Sequence, residues 1–428
     1  MNIIVKKTKM IRGSATPPSS KSHTVRALVL ALIANGASVI ANPLKSEDSR
    51  DAVRALKSLG AQVTVGARTI TVRSKGLPIR GMSRAVFTGN SGIATRFLLP
   101  ILGFRANAEL PLLYDCGRQM RARPIKPLAE ALNALGMSVK LTRGSYPLKV
   151  SGTLLGGKVE VAGLTSQYLS ALLLSLPLAP RDSELVVRDL HERPYAQMTE
   201  YWMKKGGIRY AHTRVGKKDI YRIPGGQRYQ PFKVVIPGDF SSASYIIAAA
   251  VLLEGDVAIS GLAMKDSQGD KALIPILKRM GASIVVGRSG IRVRGGKKLK
   301  GIVIDANAVP DLVPTLAVVA TQARGKTDIV NVTQARIKET DRLRSMAEGL
   351  LRLGARVVER KDGLTVYRSA LRGARVRGFG DHRTVMALSV AGLIAEGVTT
   401  IEGGETVRKT FPGFVPLMRG LGARLTVL

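Results

Sequence analysis

Six stretches of this chain share one alternation of apolar and polar residues. They read ALKSLGAQVTV (55–65), ALNALGMSVKL (131–141), YWMKKGGIRYA (201–211), ILKRMGASIVV (276–286), LLRLGARVVER (350–360) and LMRGLGARLTV (417–427). In each, apolar residues spaced three and four apart run to a glycine, and alternation follows. The first spacing predicts the end of an amphipathic helix and the second a half-buried strand. Gly60, Gly136, Gly206, Gly281, Gly354 and Gly422 fit the position after a helix, where the chain turns left-handed. The units recur at about 70 residues, too long for a solenoid, so each predicts a small α/β module.

Five of the six strands are followed by a turn and a second strand: RTITVRS, YPLKVSG, DIYRIPG, GIRVRGG and GLTVYRS. The sixth module ends at Leu428 without one. The N-terminal NIIVKKTK predicts the missing partner, which would bring the two termini together. A turn-rich break at 222–232 separates two groups of three modules. The prediction is an α/β protein of two similar domains, each of three repeated modules. Residues 1–14 with 230–428 form one domain and hold both termini; residues 15–229 form the other. Two such domains leave a cleft, a common place for ligands.

Four apolar segments begin with small polar residues: PPSSKSHTVRALVLALI, GNSGIATRFLLPIL, TSQYLSALLLSL and DFSSASYIIAAAVLL. Serine, threonine and aspartate cap helices, and capping alone explains them. Their equivalent places in repeated modules support a second reading, helix starts aimed at one region. Such starts carry unpaired N–H groups and attract anions. Lys21 and Arg26 lie in the first, Arg96 in the second, and Arg121 and Arg123 in the nearby RQMRARP.

Composition narrows the partners. The 428 residues are 45% apolar, with 66 basic and 30 acidic residues and a net charge of +36. The basic residues are scattered and aromatics are only 4%, which argues against specific nucleic-acid binding. A site for small, strongly anionic substrates is consistent with the charge. No apolar run predicts a membrane span or a signal peptide. The single cysteine, Cys116, excludes an internal disulfide framework, and a cytoplasmic location is expected.

Late in the chain, RIKETDRL sets Lys338 and Arg342 four apart, on one helical face, with Glu339 beside Lys338. This reads either as a surface helix with charge pairs or as an anion clamp with a carboxylate placed for proton transfer. Asp311, in VPDLVPT, is an N-cap or a second carboxylate. Four scattered histidines and one cysteine give no zinc pattern. Neither a Walker A sequence nor a serine-hydrolase signature occurs.

The segments SSKSHTVRALVLA, GNSGIATRFL, MRARPIKPL, SQYLSALL, GDFSSASY, RIKETDRL, GDHR and KTFPGF, in this order, resemble the enolpyruvyl transferases, specifically the 5-enolpyruvylshikimate-3-phosphate synthases. The likeness covers nearly the whole chain. It implies an inverse α/β barrel architecture of βαβαββ-type units, with the active site in the interdomain cleft. It also implies the reaction. The enolpyruvyl group of phosphoenolpyruvate passes to the 5-hydroxyl of shikimate 3-phosphate by addition–elimination, releasing phosphate, in aromatic amino acid biosynthesis.

The resemblance assigns roles by position. Lys21, Asn90, Gly92, Arg123, Gln167, Arg342, Arg383 and Lys409 match phosphoenolpyruvate-binding positions. Lys21, Ser22, Arg26, Thr165, Ser166 and Gln167 match positions that hold shikimate 3-phosphate, as do Tyr195, Asp311, Gln334 and Lys338. Asp311 matches the base for the 5-hydroxyl and Glu339 the proton donor to C3, with Lys21 also catalytic. No metal or organic cofactor is implied, and a monomer is expected.

The chain departs from the family pattern at Glu192, in HERPY, where serine is usual near the shikimate phosphate. Val25, Ile93 and Gln334 are smaller departures. Two rival readings are the UDP-N-acetylglucosamine enolpyruvyl transferases of the same fold and a basic nucleic-acid-binding protein. Against the first, this chain has Lys21-Ser22 where that group has Lys-Asn, and it carries the Lys-Glu-Thr-Asp-Arg block that group lacks. Cys116 is read as structural.

Overall fold

The computed structural model describes every residue except Met82 and Ser289. The described residues form six four-stranded sheets, divided between two compact units. One unit is Ser19–Ile236 and the other is Met1–Pro18 with Pro237–Leu428. Each unit has its own buried apolar core.

Every sheet repeats one plan. A first strand pairs in parallel with a second; the second pairs antiparallel with a third, which closes a hairpin with the fourth. Lys158–Ala162, Ser183–Arg188, Lys218–Ile223 and Ala211–Val215 are one example, in that spatial order. Alternating burial along these strands puts one face on the core. Val159 and Val161 point inward while their neighbours are exposed.

The sixth sheet takes its hairpin partner from the other end of the chain. Asn2–Lys6 lies antiparallel between Val398–Glu402 and Leu425–Val427. Asn2 and Leu428 exchange backbone hydrogen bonds at 2.8 and 3.0 Å. Two more strands cross the sequence in the same way. Met10–Ala15 pairs with Glu254–Ser260, and Lys233–Val235 pairs with Asn35–Ala41. The second pairing draws residues 230–236 into the Ser19–Ile236 unit, so that limit falls beyond the expected 229/230; the earlier limit falls after Pro18 rather than at the expected 14/15.

Three helices form the centre of each unit. In Ser19–Ile236 they are Lys21–Ile33, Gly92–Ile101 and Ser166–Ser175. In the other unit they are Phe240–Leu252, Val313–Ala320 and His382–Ile394. Apart from polar and charged residues, mostly near their starts, such as Arg26, Arg96 and Arg383, they are apolar all round, which suits burial on every side. Leu28, Leu98, Leu172, Ile247, Leu316 and Leu388 are fully buried, each stabilising the fold by about 2 kcal/mol. The outer helices, such as Glu47–Ser58, are amphipathic. Ser46 caps that helix, Glu47 and Asp48 suit its positive start, and Lys57 suits its end.

The helix-ending glycines carry the left-handed turn in five of the six modules: Gly60, Gly136, Gly281, Gly354 and Gly422 have φ between 85° and 104°. In the third module the turn is at Gly207, φ 76°, while Gly206 has φ −82°. With two glycines side by side, the helix Arg193–Lys205 runs one residue further before it turns.

Among the described residues, no helix is long and apolar enough to cross a membrane.

Candidate active site

In the Ser19–Ile236 unit, each central helix starts at a side-chain cap. Ser20, Ser91 and Thr165 accept from the backbone N–H of His23, Ala94 and Gln167 at 3.4 Å. Basic side chains gather at these starts. Lys21 Nζ lies 3.2 Å from Asp48 Oδ2, both largely buried. Arg26, on the same helix, is 1% exposed. It donates to Thr199 Oγ1 at 2.9 Å, to the carbonyl oxygen of Ser22 at 3.1 Å and to that of Tyr195 at 2.9 Å. Its described partners are all neutral, and burial pushes its pKa down to about 9. A buried cation with only neutral partners favours an anion nearby.

The second helix start holds two more guanidinium groups. A Cβ at Gly92 would stand 2.4 Å from Arg123 Nη1, so only glycine lets that group lie on the helix end. Arg96 is also 1% exposed and donates to Gln167 Oε1 at 2.6 Å, tying the second helix to the third. Burial and then the charge of Arg123 lower its pKa. Asn90 is exposed, and its Oδ1 accepts from the backbone of Met120 at 3.4 Å.

Glu192 departs from this run of cations. It is 1% exposed and precedes the helix Arg193–Lys205, but it does not cap that helix. Its Oε2 accepts from Ser166 Oγ at 2.9 Å, and from Ser166 N and Thr165 Oγ1 at 3.2 Å.

The other unit centres on Arg342, 1% exposed, which meets three carboxylates. Nε donates to Asp381 Oδ2 at 2.7 Å, Nη1 to Asp311 Oδ1 at 2.6 Å and Nη2 to Glu339 Oε2 at 2.7 Å. Asp311 accepts from Arg383 Nη2 through its other oxygen at 2.6 Å. Burial alone would raise the Asp311 pKa, but Arg383, Arg342 and Lys338 outweigh it and hold the carboxylate far below its usual range. The carboxylates overcome the burial of Arg342 and hold it charged. Asp270, 3% exposed and accepting from Ser241, is pushed up to about 7 by burial and the charge of Asp311.

Two expectations change here. Asp311 is not a cap; it sits in the 3-10 turn Pro310–Leu312 with no side-chain cap bond, and both its oxygens go to arginine. Lys338 and Arg342 do not share a helical face. Thr333–Ile337 is a 3-10 turn, and the helix begins at Arg342 behind the cap Asp341. Asp341 caps the helix at Arg342, so Lys338 and Glu339 lie ahead of it, and Glu339 accepts from Arg342.

Gln334 is 3% exposed and donates through Nε2 to the carbonyl oxygen of Asn307 at 2.8 Å. Lys409 ends the turn Gly404–Lys409 and is half-buried. Three carboxylates of these networks carried no sequence signal for this placement. Asp48 reads as an ordinary first-turn acid, Asp381 as a cap, and Asp270 as a loop residue. Only the GDHR segment around Asp381 hinted at more.

Comparison with solved structures places the fold among the enolpyruvyl transferases. The EPSP synthase of Acinetobacter baumannii superposes with a TM-score of 0.83 at 25% identity, covering 99% of both chains. The enolpyruvyl transferase NikO of Streptomyces tendae shares the fold with a TM-score of 0.80 at 18% identity, covering 99% of this chain and 98% of that one. Sequence then specifies the branch. Residues 5–418 match the family EPSP synthase (3-phosphoshikimate 1-carboxyvinyltransferase). A 3-phosphoshikimate 1-carboxyvinyltransferase of Acetivibrio thermocellus is 41% identical over 428 residues, covering 100% of this chain and 99% of the relative. The chain belongs to the EPSP synthase family and carries its 3-phosphoshikimate 1-carboxyvinyltransferase activity, a step of the shikimate pathway.

Proposed function

We propose that the two clusters hold shikimate 3-phosphate and phosphoenolpyruvate, and that the chain works as a cytoplasmic monomer. The observation that carries this reading is Arg342 with its three carboxylates beside Arg383. Two guanidinium groups and two carboxylates in direct contact supply both anion binding and proton transfer.

Arg342, Arg383 and Lys409 bind phosphoenolpyruvate, with Lys21, Asn90, Gly92, Arg123 and Gln167. Ser22, Arg26, Thr165, Ser166 and Tyr195 bind shikimate 3-phosphate, with Lys21, Gln167, Asp311, Gln334 and Lys338. The buried neutral surroundings of Arg26 support an anion there. The close approach of Arg123 to Gly92 supports a phosphate at that helix start.

Without substrate, Asp311 is held by two arginines and is a weak base. Phosphoenolpyruvate brings its own negative charge to those arginines. As their charge is shared, Asp311 gains proton affinity and takes the proton of the 5-hydroxyl as that oxygen attacks C2. Glu339 delivers a proton to C3. The tetrahedral intermediate then collapses: the C3 methyl gives a proton back to the Glu339 carboxylate, C2 reforms its double bond to C3, the C2–O bond to phosphate breaks, and the phosphate leaves against the lysine and arginine groups, taking the proton held by Asp311.

The test is phosphate release with both substrates. The native chain should release phosphate only when shikimate 3-phosphate and phosphoenolpyruvate are both present. Folded Asp311→Asn should lose a factor of about 100 or more in kcat. Folded Lys21→Met should lose turnover through the missing cation. Undiminished turnover in either variant would overturn the assignment.

A further inference from the structure

A buried carboxylate occupies the start of Ser166–Ser175, where the proposed site receives a phosphate. We propose that Glu192 is a specificity residue: it fills this anion cradle in the empty enzyme, and the phosphate of shikimate 3-phosphate binds by displacing it. The proposal rests on the assignment of Thr165 and Ser166 to that phosphate.

The backbone directs the side chain there. Glu192 has φ 56° and ψ 36°, a left-handed conformation that is uncommon and costly for glutamate. It turns the carboxylate away from the start of its own helix and across to the neighbouring one. There a single oxygen collects the Ser166 N–H and the hydroxyls of Ser166 and Thr165. These are the donors a phosphate oxygen requires at a helix start. Arg96 feels the charge of Glu192, so the carboxylate also partly neutralises a buried cation of the cluster.

Two anions cannot share three donors without strong repulsion. Binding is therefore an exchange: the phosphate gains the cradle and Glu192 loses it. A neutral residue such as serine leaves the cradle open, so the phosphate keeps its whole advantage. Exchange lowers the affinity for shikimate 3-phosphate and also the preference for it over unphosphorylated shikimate, because discrimination is a difference of two affinities.

The experiment is steady-state kinetics on the full chain with Glu192→Ser and Glu192→Gln, each checked for folding by circular dichroism. Native turnover with both substrates is measured first. Its absence would strike the assignment of the site itself. With native turnover present, Glu192→Ser should lower KM for shikimate 3-phosphate at least tenfold. KM for phosphoenolpyruvate should stay within twofold. The ratio of kcat/KM for shikimate 3-phosphate over shikimate should rise at least tenfold. Glu192→Gln keeps the volume without the charge and should move in the same direction by a smaller factor. If the serine variant does not fold, the glutamine variant decides, with its affinity measured by calorimetry. An unchanged or raised KM for shikimate 3-phosphate in the folded variants would overturn the proposal, because the carboxylate would then be indifferent or helpful to binding.

Discussion

Arg342 and Asp381 meet almost out of reach of solvent: Nε and Oδ2 are 2.7 Å apart, and the side chains are 1% and 0% exposed. The other oxygen of Asp381 accepts from the backbone N–H of Arg383 at 2.8 Å and starts the helix His382–Ile394. One carboxylate thus fixes a central helix and the arginine that binds Asp311 and Glu339. Removing it leaves a buried guanidinium short of one partner. Asp381→Ala should therefore cost about 3–5 kcal/mol of stability. Asp381→Asn, whose amide oxygen can still cap the helix, should cost less. Urea unfolding of both variants measures this, and equal midpoints for all three proteins would contradict it.

Asp270 predicts a pH dependence. Its folded pKa, raised to about 7 by burial and Asp311 against the pull of Arg383, lies above that of an unfolded aspartate near ~3.9. The folded state therefore holds this proton more tightly than the unfolded state does. Any stability it adds is complete below pH ~4 and is lost as pH rises to about 7. Asparagine cannot ionise. The stability of Asp270→Asn relative to the native chain should thus climb between pH 4 and 7, read as a rise of the variant's urea midpoint relative to the native one. A constant gap would show that Asp270 ionises normally. Asp311, whose pKa is lowered, acts in the opposite sense and only in acid below this window.

Gly92→Ala should spare the fold and damage binding. The added methyl would stand 2.4 Å from Arg123 Nη1, the far end of a flexible side chain. Arg123 can swing away, so thermal stability should fall by less than about 1 kcal/mol. KM for phosphoenolpyruvate should rise roughly tenfold, or about 1.4 kcal/mol. An unchanged KM would place Arg123 outside the binding site.

Cys116 should be inert. It is 1% exposed, and burial, aided by the charge of Asp115, pushes its thiol pKa up to about 12. Nucleophilic attack needs the thiolate, which is scarce at neutral pH. The native chain should resist a thiol-specific disulfide reagent at pH 8 and react once in urea. Cys116→Ala should keep its kcat. Rapid labelling of the folded chain, or loss of turnover in the variant, would give this thiol a role it is not assigned.

The features legible in the sequence are local and periodic. The glycine after each helix is legible because a left-handed turn admits few other residues, and Gly60, Gly136, Gly281, Gly354 and Gly422 have it. Where two glycines adjoin, pattern alone could not choose, and the turn falls on Gly207. The strand Asn2–Lys6 was legible as the missing member of a sixth hairpin. Charge networks were harder. Lys338 and Arg342 stand at helical spacing, but the cap at Asp341 decides where the helix starts, and four residues of sequence hold both possibilities. Asp48, Asp270 and Asp381 meet their partners through contacts 27 to 39 residues away along the chain. Such contacts leave no periodic trace. Glu192 stood out only by contrast with a family pattern; its turn toward Ser166 depends on a left-handed backbone that no neighbouring glycine announces.

Asn2–Lys6 pairs with strands at the far end of the sequence, whereas Met10–Ala15 pairs with Glu254–Ser260. Asn2–Lys6 must wait for Val398–Glu402 and Leu425–Val427, whereas Ser19–Ile236 has all the strands of its three sheets once Lys233–Val235 has emerged. At roughly 5–20 residues per second, synthesis of the remaining chain takes on the order of ten to forty seconds. Until those partners are made, Ile3 and Val5, both fully buried in the folded protein, have no sheet to join. An unpaired apolar strand invites pairing with the same strand of another nascent chain. Lys6, Lys7 and Lys9 adjoin these residues, and like charge beside an apolar strand opposes such pairing.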